Sequence, residues 1–404
     1  MRVGDVEVEA FYDRYPYPPP VTDLDAYRQR WQDRERRRAD FHLFWPTRPY
    51  HEDFSILVAG CGTSQAAKYA IRWPAAQVVG IDFSTTSIRH TAALKQKYRL
   101  GNLQLHHLAL EQPGDLGTCF DQVVCTGVIH HLPDPNVGLR ALRRALKPHG
   151  ALHLMVYAHY GRSGIYMMQE FCRRVGFRAP EADFRDLLLA LRALPPSHPL
   201  TGLLREAPDF RSEAGLADAL LHPQDRAYTV AELLTFLESN GLSFGRWVRQ
   251  APYRLDIGLL TRIPRALRMA QIPLAEQYAA TELFRGNMTR HNAVAYRDDA
   301  PGILQIRFDD DAWLDYVPIR MPDTLTVREQ LPPGIAAILV NRAHAYTDIC
   351  LPLRPQELQL FEAVDGKRKI GDLLPDAASR DAARSLFERP WWHDQVVFDA
   401  TGQR

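Results

Sequence analysis

Two glycines and an acid carry the first recognisable chemistry of this chain. Gly60 and Gly62 follow the apolar run Ile56, Leu57 and Val58, which suits a buried parallel strand, and they stand where the chain must turn into a helix. Without side chains at that turn, the backbone can approach a ligand closely. Asp82 lies 22 residues after Gly60 (82 − 60), at the end of a second apolar run, Gln77 to Ile81. A carboxylate at that place can accept hydrogen bonds from both hydroxyls of a ribose, so the pattern predicts an adenosine-type cofactor. A second group is His130 with His131, just after Gly127, and a histidine with its ordinary pKa near neutrality suits general-base work. His131 is the preferred candidate of the two, the alternative being that both only hydrogen-bond backbone around a helix start. A third group is Asp218 to Val230, DALLHPQDRAYTV, which concentrates His222, Gln224, Asp225, Arg226 and Tyr228 in a short polar loop. Loops of that density contact ligands. The structural alternative is a proline-terminated helix followed by a capped one, with Arg226 binding an acidic group or pairing with Asp225.

These residues need elements to position them. From Ser55 to Ser84 the order is strand, glycine turn, helix, strand, carboxylate. Val123, Val124 and Cys125 read as another buried strand, and Thr126 and Gly127 carry the chain over its carboxyl end. Asp134 and Pro135 then supply a cap and a first-turn residue. Leu139, Leu142 and Leu146 recur on one helical face until Pro148 and Gly150 end it, and Ala151 to Tyr157 is a further strand. Ligands of open α/β sheets sit outside the carboxyl ends of the strands, so Gly60, Asp82, Thr126 and Tyr157 should border one crevice. A dinucleotide fingerprint would require glycine where Gln65 stands, and its absence favours a ligand without pyrophosphate. The 22-residue spacing alone does not choose.

Through AGCGTS, GIDFS and FDQVVCTGVIHHLPDP, in that order, the chain resembles the class I S-adenosylmethionine-dependent methyltransferases. Its YPYP arm resembles that of bacterial members. The resemblance implies an α/β fold: a doubly wound, mostly parallel seven-stranded Rossmann-like sheet with a helical insertion and a small C-terminal α+β domain. It implies S-adenosyl-L-methionine as cofactor, held by Gly60, Cys61, Gly62, Asp82, Phe83, Glu111, Thr126 and Gly127, with Glu111 against the adenine. His131 takes the position of a histidine that faces the acceptor. Val58 and Ala59 stand where the family usually carries an acid, so another group must hold the amino-acid end. Ser64 replaces the third turn glycine and can cap the helix that follows.

The organisation expected along the chain has four parts. Residues 1–50 form an arm and lid, 51–160 the cofactor core, 161–297 a helical insertion plus the last sheet strands, and 298–404 an accessory domain. In the arm, FYDRYPYPPP (residues 11 to 20) is expected to be extended throughout, because three consecutive prolines cannot enter a helix. Phe11, Tyr12, Tyr15 and Tyr17 make it either a strap on the surface or a lid over the mouth. Tyr17 joins His131 and His130 as a catalytic candidate, and Tyr12, Tyr15, Tyr157, His222, Arg226 and Tyr228 are candidates for acceptor binding. Residues 24 to 38 read as a charged helix whose RERRR run is a solvated face. Leu242 to Val248 and Arg290 to Tyr296 read as the remaining strands. Residues 350 to 400 read as small helices and a hairpin, similar to a small winged-helix module that recognises peptides, with a structural cap or dimer contact as the other role.

Composition bounds the partners. The 404 residues are 46% hydrophobic and 24% charged, and 49 Lys and Arg against 48 Asp and Glu leave a net charge near +1. That balance offers no field for nucleic acid or an anionic membrane. Cysteines at 61, 119, 125, 172 and 350 are scattered and without a C-x-x-C pair, so a reducing cytoplasm is expected, and the polar start MRVGDVEVEAFYDR is not a signal peptide. The adjacent histidine pairs, His106 with His107 and His130 with His131, are expected to point apart and hold no metal. The reading is methyl transfer to a small-molecule acceptor, with His131 as general base or orienting residue. The alternatives are a peptide or protein acceptor recognised by the C-terminal domain, and a non-catalytic binding scaffold. A homodimer is compatible with either enzyme.

Overall fold

A computed structural model describes residues 11–177, 181–206, 208–300, 306–374 and 380–402. The first ten residues of the N-terminal arm lie outside them. The chain forms two compact units: one takes residues 1–28, 52–244 and 282–299, the other 29–51, 245–281 and 300–404. Among the described residues, no helix is long and apolar enough to cross a membrane.

The first unit is built on a seven-stranded sheet. Its strands are β1 (Ser55–Ala59), β2 (Gln77–Asp82), β3 (Leu103–His107), β4 (Phe120–Thr126), β5 (Leu146–Tyr157), β6 (Leu242–Trp247) and β7 (Arg290–Arg297), in the order β3-β2-β1-β4-β5-β7-β6. β1 runs parallel to both β2 and β4, β4 is parallel to β5, and β7 is antiparallel to β5. The apolar run of β1 is buried on both faces because helices cover the sheet: Ile56, Leu57, Val58 and Ala59 are fully inaccessible. Burying one such side chain stabilises by about 1.5–3 kcal/mol. The strand order reverses between β1 and β4, which opens a crevice at their carboxyl ends.

The helix Gln65–Arg72 packs down on β2 at Gly80, where a Cβ would come within 2.7 Å of the Ala66 methyl. Close helix–strand contact, which a third turn glycine supplies in dinucleotide folds, is therefore provided from the strand side here. The helix after β4 begins as expected: Asp134 caps it by accepting from the Asn136 N–H at 3.0 Å, and Pro135 follows. It ends earlier than the leucine pattern suggests, at Ala145, and Leu146 already belongs to β5, pairing with Phe120. Pairing across β4 recruits the segment before Gly150 into the sheet and overrides the helical spacing.

After β5 come helices Ser163–Val175, Glu181–Arg192, Leu200–Glu206, Glu213–Leu221 and Val230–Glu238, the last opened by a capping box between Thr229 and Glu232. The apolar faces of the first four meet in one cluster, including Ile165, Met168, Leu187, Leu200, Leu216 and Leu220, which also takes Phe11 and Tyr15 from the arm. That contact corrects the extended arm. Phe11 to Arg14 are helical, with the Tyr15 N–H bonded to the Phe11 carbonyl at 2.8 Å, because the prolines begin only at Pro16 and leave the preceding turn free to close.

The second unit has its own core, including Phe308, Trp313, Tyr316, Leu339, Phe361, Ile370, Phe387 and Phe398. A three-stranded antiparallel sheet combines β9 (Thr324–Val327), β10 (Ala337–Asn341) and β11 (Leu351–Leu353), and β8 (Val317–Arg320) pairs with β12 (Val396–Asp399). The expected hairpin near residues 370–400 is not formed: Ile370–Leu373 is a helical turn, Trp391 and Trp392 end a helix, and the strand after them pairs 76 or more residues back in sequence. The RERRR run also differs from a solvated face. On helix Arg34–Phe44, Arg38 pairs with Asp399 at 3.2 Å and Arg36 with Asp323 at 3.3 Å, so two of its guanidiniums are largely covered within this unit.

Candidate functional site

The first unit contains a cavity of about 1150 Å³ at the carboxyl ends of β1, β2, β4 and β5. Its floor is the glycine turn. Gly60 has φ +70° and Gly62 φ +54°, and a Cβ on Gly60 would sit 2.4 Å from a Val128 methyl, so only glycine fits where this turn passes the β4 loop. The Gly60 and Cys61 N–H groups both donate to the Ile81 carbonyl at 2.9 Å. Ser64, expected to cap the next helix, makes no side-chain cap bond; at φ −158°, ψ −11° its hydroxyl is not placed over the first turn. Cys61 borders the cavity but is fully buried, and burial, reinforced by Asp82, pushes its thiol pKa well up.

Asp82 braces this turn. One carboxylate oxygen accepts from the Gly62 N–H at 2.7 Å and the other from the Ser84 N–H at 2.9 Å. Burial raises its pKa to about 6, against the lowering effect of those two bonds. Each carboxylate oxygen has two lone pairs, so acceptor capacity remains for a ligand in the cavity Asp82 lines. Phe83, Glu111, Thr126 and Gly127 line the same cavity. Gln65, which no sequence motif marks as a binding residue, also lines it and donates to the Thr126 hydroxyl at 2.5 Å. Val58 and Ala59 are fully buried and present no polar atom. Ser64, Gln65 and Lys68 at the helix start and Thr126 at the β4 edge are polar residues of the lining.

The other end of the cavity is aromatic and charged. Tyr12, Tyr17, His131, Tyr157 and Arg162 line it. Asp218, buried on helix Glu213–Leu221, accepts from the Tyr12 hydroxyl at 3.0 Å and from the Tyr157 hydroxyl at 3.3 Å. Burial and then the Asp218 charge push both phenols well up, so they remain donors. The Arg162 guanidinium lies 3.4 Å over the Tyr157 ring, and a desolvated stack of this kind contributes about 2 kcal/mol.

His131 sits in a 3-10 turn, Ile129–His131, directly after the Gly127 crossing. Its Nδ1 is 2.8 Å from the Gln224 carbonyl, and a carbonyl only accepts, so Nδ1 carries the proton and the Nε2 lone pair is unspent. His130, expected to point away from its neighbour, does not. The tight turn brings the two rings to 4.3 Å between centroids, which the opposed directions of regular strand or helix geometry would not allow. His130 is nonetheless buried behind the wall and does not line the cavity, nor do Tyr15, His222, Arg226 and Tyr228.

Those residues support the wall. His222 stacks on His131 with centroids 4.0 Å apart, Tyr15 belongs to the insertion core, and Tyr228 is buried with its N–H on the Tyr157 carbonyl. Arg226 is exposed, lies over the Tyr228 ring at 4.9 Å, and donates its backbone N–H to the His130 carbonyl. It does not pair with Asp225. That carboxylate instead faces Arg162 at 3.7 Å, His131 at 3.9 Å and the Gln169 amide at 3.0 Å, because the loop turns it inward. Asp218, Arg162 and Gln169 escape a reading of the sequence: each lies on or beside a helix whose spacing signals only packing, and partners 50 or more residues away carry no local signature.

A methyltransferase-domain profile matches residues 57–152, the stretch from β1 into β5. An uncharacterised protein of a Synechococcus strain is 33% identical over 250 residues, covering 59% of this chain and 58% of that one. The ubiquinone biosynthesis O-methyltransferase of Idiomarina loihiensis is 27% identical over 147 residues, covering 33% of this chain and 58% of that protein. The chain thus spans less than two thirds of the length of these curated relatives. PKMT2 from Rickettsia typhi, solved in complex with AdoHcy, has the same fold: a TM-score of 0.62 at 14% identity, covering 95% of this chain and 77% of that one. Profile, strand order and glycine turn agree: residues 57–152 match a methyltransferase domain, and the sheet has the class I, Rossmann-like methyltransferase fold.

Proposed function

We propose that this chain binds S-adenosyl-L-methionine and transfers its methyl group to a small-molecule acceptor. One observation carries the reading: the glycine turn with Asp82 and the Tyr12, His131, Tyr157 group line a single cavity, large enough for a nucleoside-type donor and a second small ligand. The residues present suit the donor. Gly60 and Gly62 admit backbone approach, Asp82 keeps acceptor capacity for ribose hydroxyls, and Gln65, Thr126 and Lys68 are the polar groups available to the amino-acid end that lacks a strand acid. When bound, S-adenosyl-L-methionine supplies a methyl group on a sulfonium, already activated for in-line displacement.

The chain's own work is then alignment. Tyr12 and Tyr157, held by Asp218, wall the acceptor end, and His131 presents its Nε2 lone pair as general base or orienting residue. The test incubates the full chain with methyl-labelled donor and separate small-molecule and protein fractions of a cell extract. Label in the small-molecule fraction supports the proposal. Label confined to protein would replace it with a peptide or protein acceptor. Binding of S-adenosylhomocysteine with no transfer to either fraction would leave a non-catalytic scaffold.

A further inference from the structure

We propose that His130, His131 and Asp225 bind a divalent transition-metal ion at the inner wall of the cavity. One ligand atom from each lies within 4.8 Å of those of the other two. Coordination by imidazole nitrogen and carboxylate oxygen at about 2.0–2.2 Å places neighbouring donors roughly 3–4 Å apart; the set closes by rotation of the Asp225 carboxylate, whose Oδ1 lies 3.9 Å from His131 Nδ1, toward the Nε2 edge of that ring. The same separation holds for a second triad, His131, Asp218 and His222.

The free atoms choose between the two. Both ring nitrogens of His130, Nε2 of His131 and Oδ1 of Asp225 are buried and have no hydrogen-bond partner among the described residues. Orphaned polar atoms of this kind are costly unless something binds them. In the second triad Asp218 spends its oxygens on Tyr12 and Tyr157, and His222 accepts the Gln224 N–H at Nδ1, which leaves a proton rather than a lone pair on its Nε2.

The preferred triad also carries the supports that metal ligands use. Gln224 accepts the His131 Nδ1 proton and so fixes the lone pair on Nε2, and Gln169 donates to Asp225 Oδ2 at 3.0 Å, leaving Oδ1 without a hydrogen bond. Two imidazoles and one carboxylate suit Zn²⁺, Fe²⁺ or Co²⁺ and leave coordination positions open. His131 borders the cavity, so an open position facing it would take an oxygen of the acceptor and lower the pKa of a hydroxyl there; the Nε2 lone pair is then a ligand, and His131 keeps the orienting role rather than that of general base. This role, unlike the metal site itself, rests on the methyltransferase reading.

The experiment strips the full chain with a chelator, exchanges it into chelator-free buffer, and titrates it with Co²⁺ alone, followed by visible absorption, and with Zn²⁺ alone, followed by metal analysis. One ion per chain is expected. His130→Ala and Asp225→Asn should each weaken uptake by about 10²-fold or more, and Gln169→Leu by about 10–100-fold. His222→Gln and Asp218→Asn should leave it nearly unchanged. Long-range imidazole ¹H–¹⁵N spectra of the wild-type chain keep the test independent of variant folding: Zn²⁺ should shift His131 Nε2 and one His130 nitrogen. Unshifted histidines, or uptake lost in His222→Gln but kept in Asp225→Asn, would overturn the site. S-adenosylhomocysteine titration of the metal-free chain separates the outcomes, since failed metal uptake with intact nucleoside binding leaves the methyltransferase reading standing.

Discussion

Tyr12 and Asp218 are 206 residues apart in sequence, and the phenol donates to the carboxylate at 3.0 Å. The bond ties the N-terminal arm to helix Glu213–Leu221 at the aromatic end of the cavity. Tyr12→Phe should therefore act on the acceptor and not on the donor. A hydrogen bond to a charged group contributes about 1.5–3 kcal/mol, so steady-state kinetics should show the acceptor KM rising roughly tenfold or more, with S-adenosylhomocysteine affinity little altered. An unchanged KM would make the arm a structural strap only.

Asp82 predicts a pH dependence of donor binding. Burial lifts its pKa to about 6, so the free protein holds a proton there below that pH and a carboxylate above it. A protonated carboxyl spends one position as a donor, so affinity for S-adenosylhomocysteine should rise with pH through about 6 and then level off. Calorimetry from pH 5 to 8 checks this. Asp82→Asn should bind about 10–100-fold more weakly at pH 7.5 and lose the transition.

Gly60 and Val128 form a steric pair. Gly60→Ala adds a Cβ 2.4 Å from a Val128 methyl at φ +70°, where an L-residue also costs about 1–2 kcal/mol of backbone strain. Thermal melting should drop and donor affinity fall. The double variant Gly60→Ala with Val128→Ala should recover the steric part and retain the strain. Full recovery would show that the left-handed turn is not needed.

His131→Ala is expected to keep S-adenosylhomocysteine affinity while turnover falls by about 10²-fold or more, as for loss of a positioned general base. His222, stacked behind it, supplies a control: His222→Gln should cost packing but keep most turnover. Equal loss in both would place the effect in the wall and not in the Nε2 lone pair.

His42 makes an acid-stability prediction for the second unit. Burial lowers its pKa to about 4, despite Asp399 at 3.5 Å, whereas in the unfolded chain it takes up a proton near 6.5. The unfolded state therefore binds more protons in that window, and stability present above pH 6.5 is lost as the pH falls towards 4, by on the order of 3 kcal/mol for this group. His393, with its pKa also near 4 through burial, adds to the slope. Denaturant unfolding at pH 7, 5.5 and 4.5 should show the decline, and His42→Gln should flatten it by about one proton's worth. A parallel decline in the variant would exclude His42 as a source.

The glycine-turn half of the cavity is legible in the amino-acid sequence because its parts are contiguous. Gly60, Gly62 and Asp82 lie within one β-turn-α-β unit, and backbone geometry alone aligns them. The aromatic half is legible there only as a set of candidates. His131 lines the cavity as its position after Gly127 implies, whereas His222, Arg226 and Tyr228 stand behind the wall or outside it, since a polar loop's composition does not tell which side chains turn inward.

The strand pattern, the glycine turn and the helix starts at Asp134 and Thr229 are local properties, and the sequence determined them through periodicity, φ preferences and capping chemistry. Three things were decided only by the tertiary structure. Leu146 joins β5 because β4 offers a pairing edge, Phe11 to Arg14 coil because the insertion core buries Phe11, and His130, His131 and Asp225 meet because a 3-10 turn and an inward loop converge from 94 residues apart. Contacts of that separation leave no trace in local spacing, because the energy that forms them comes from burial and pairing with partners the sequence does not place side by side.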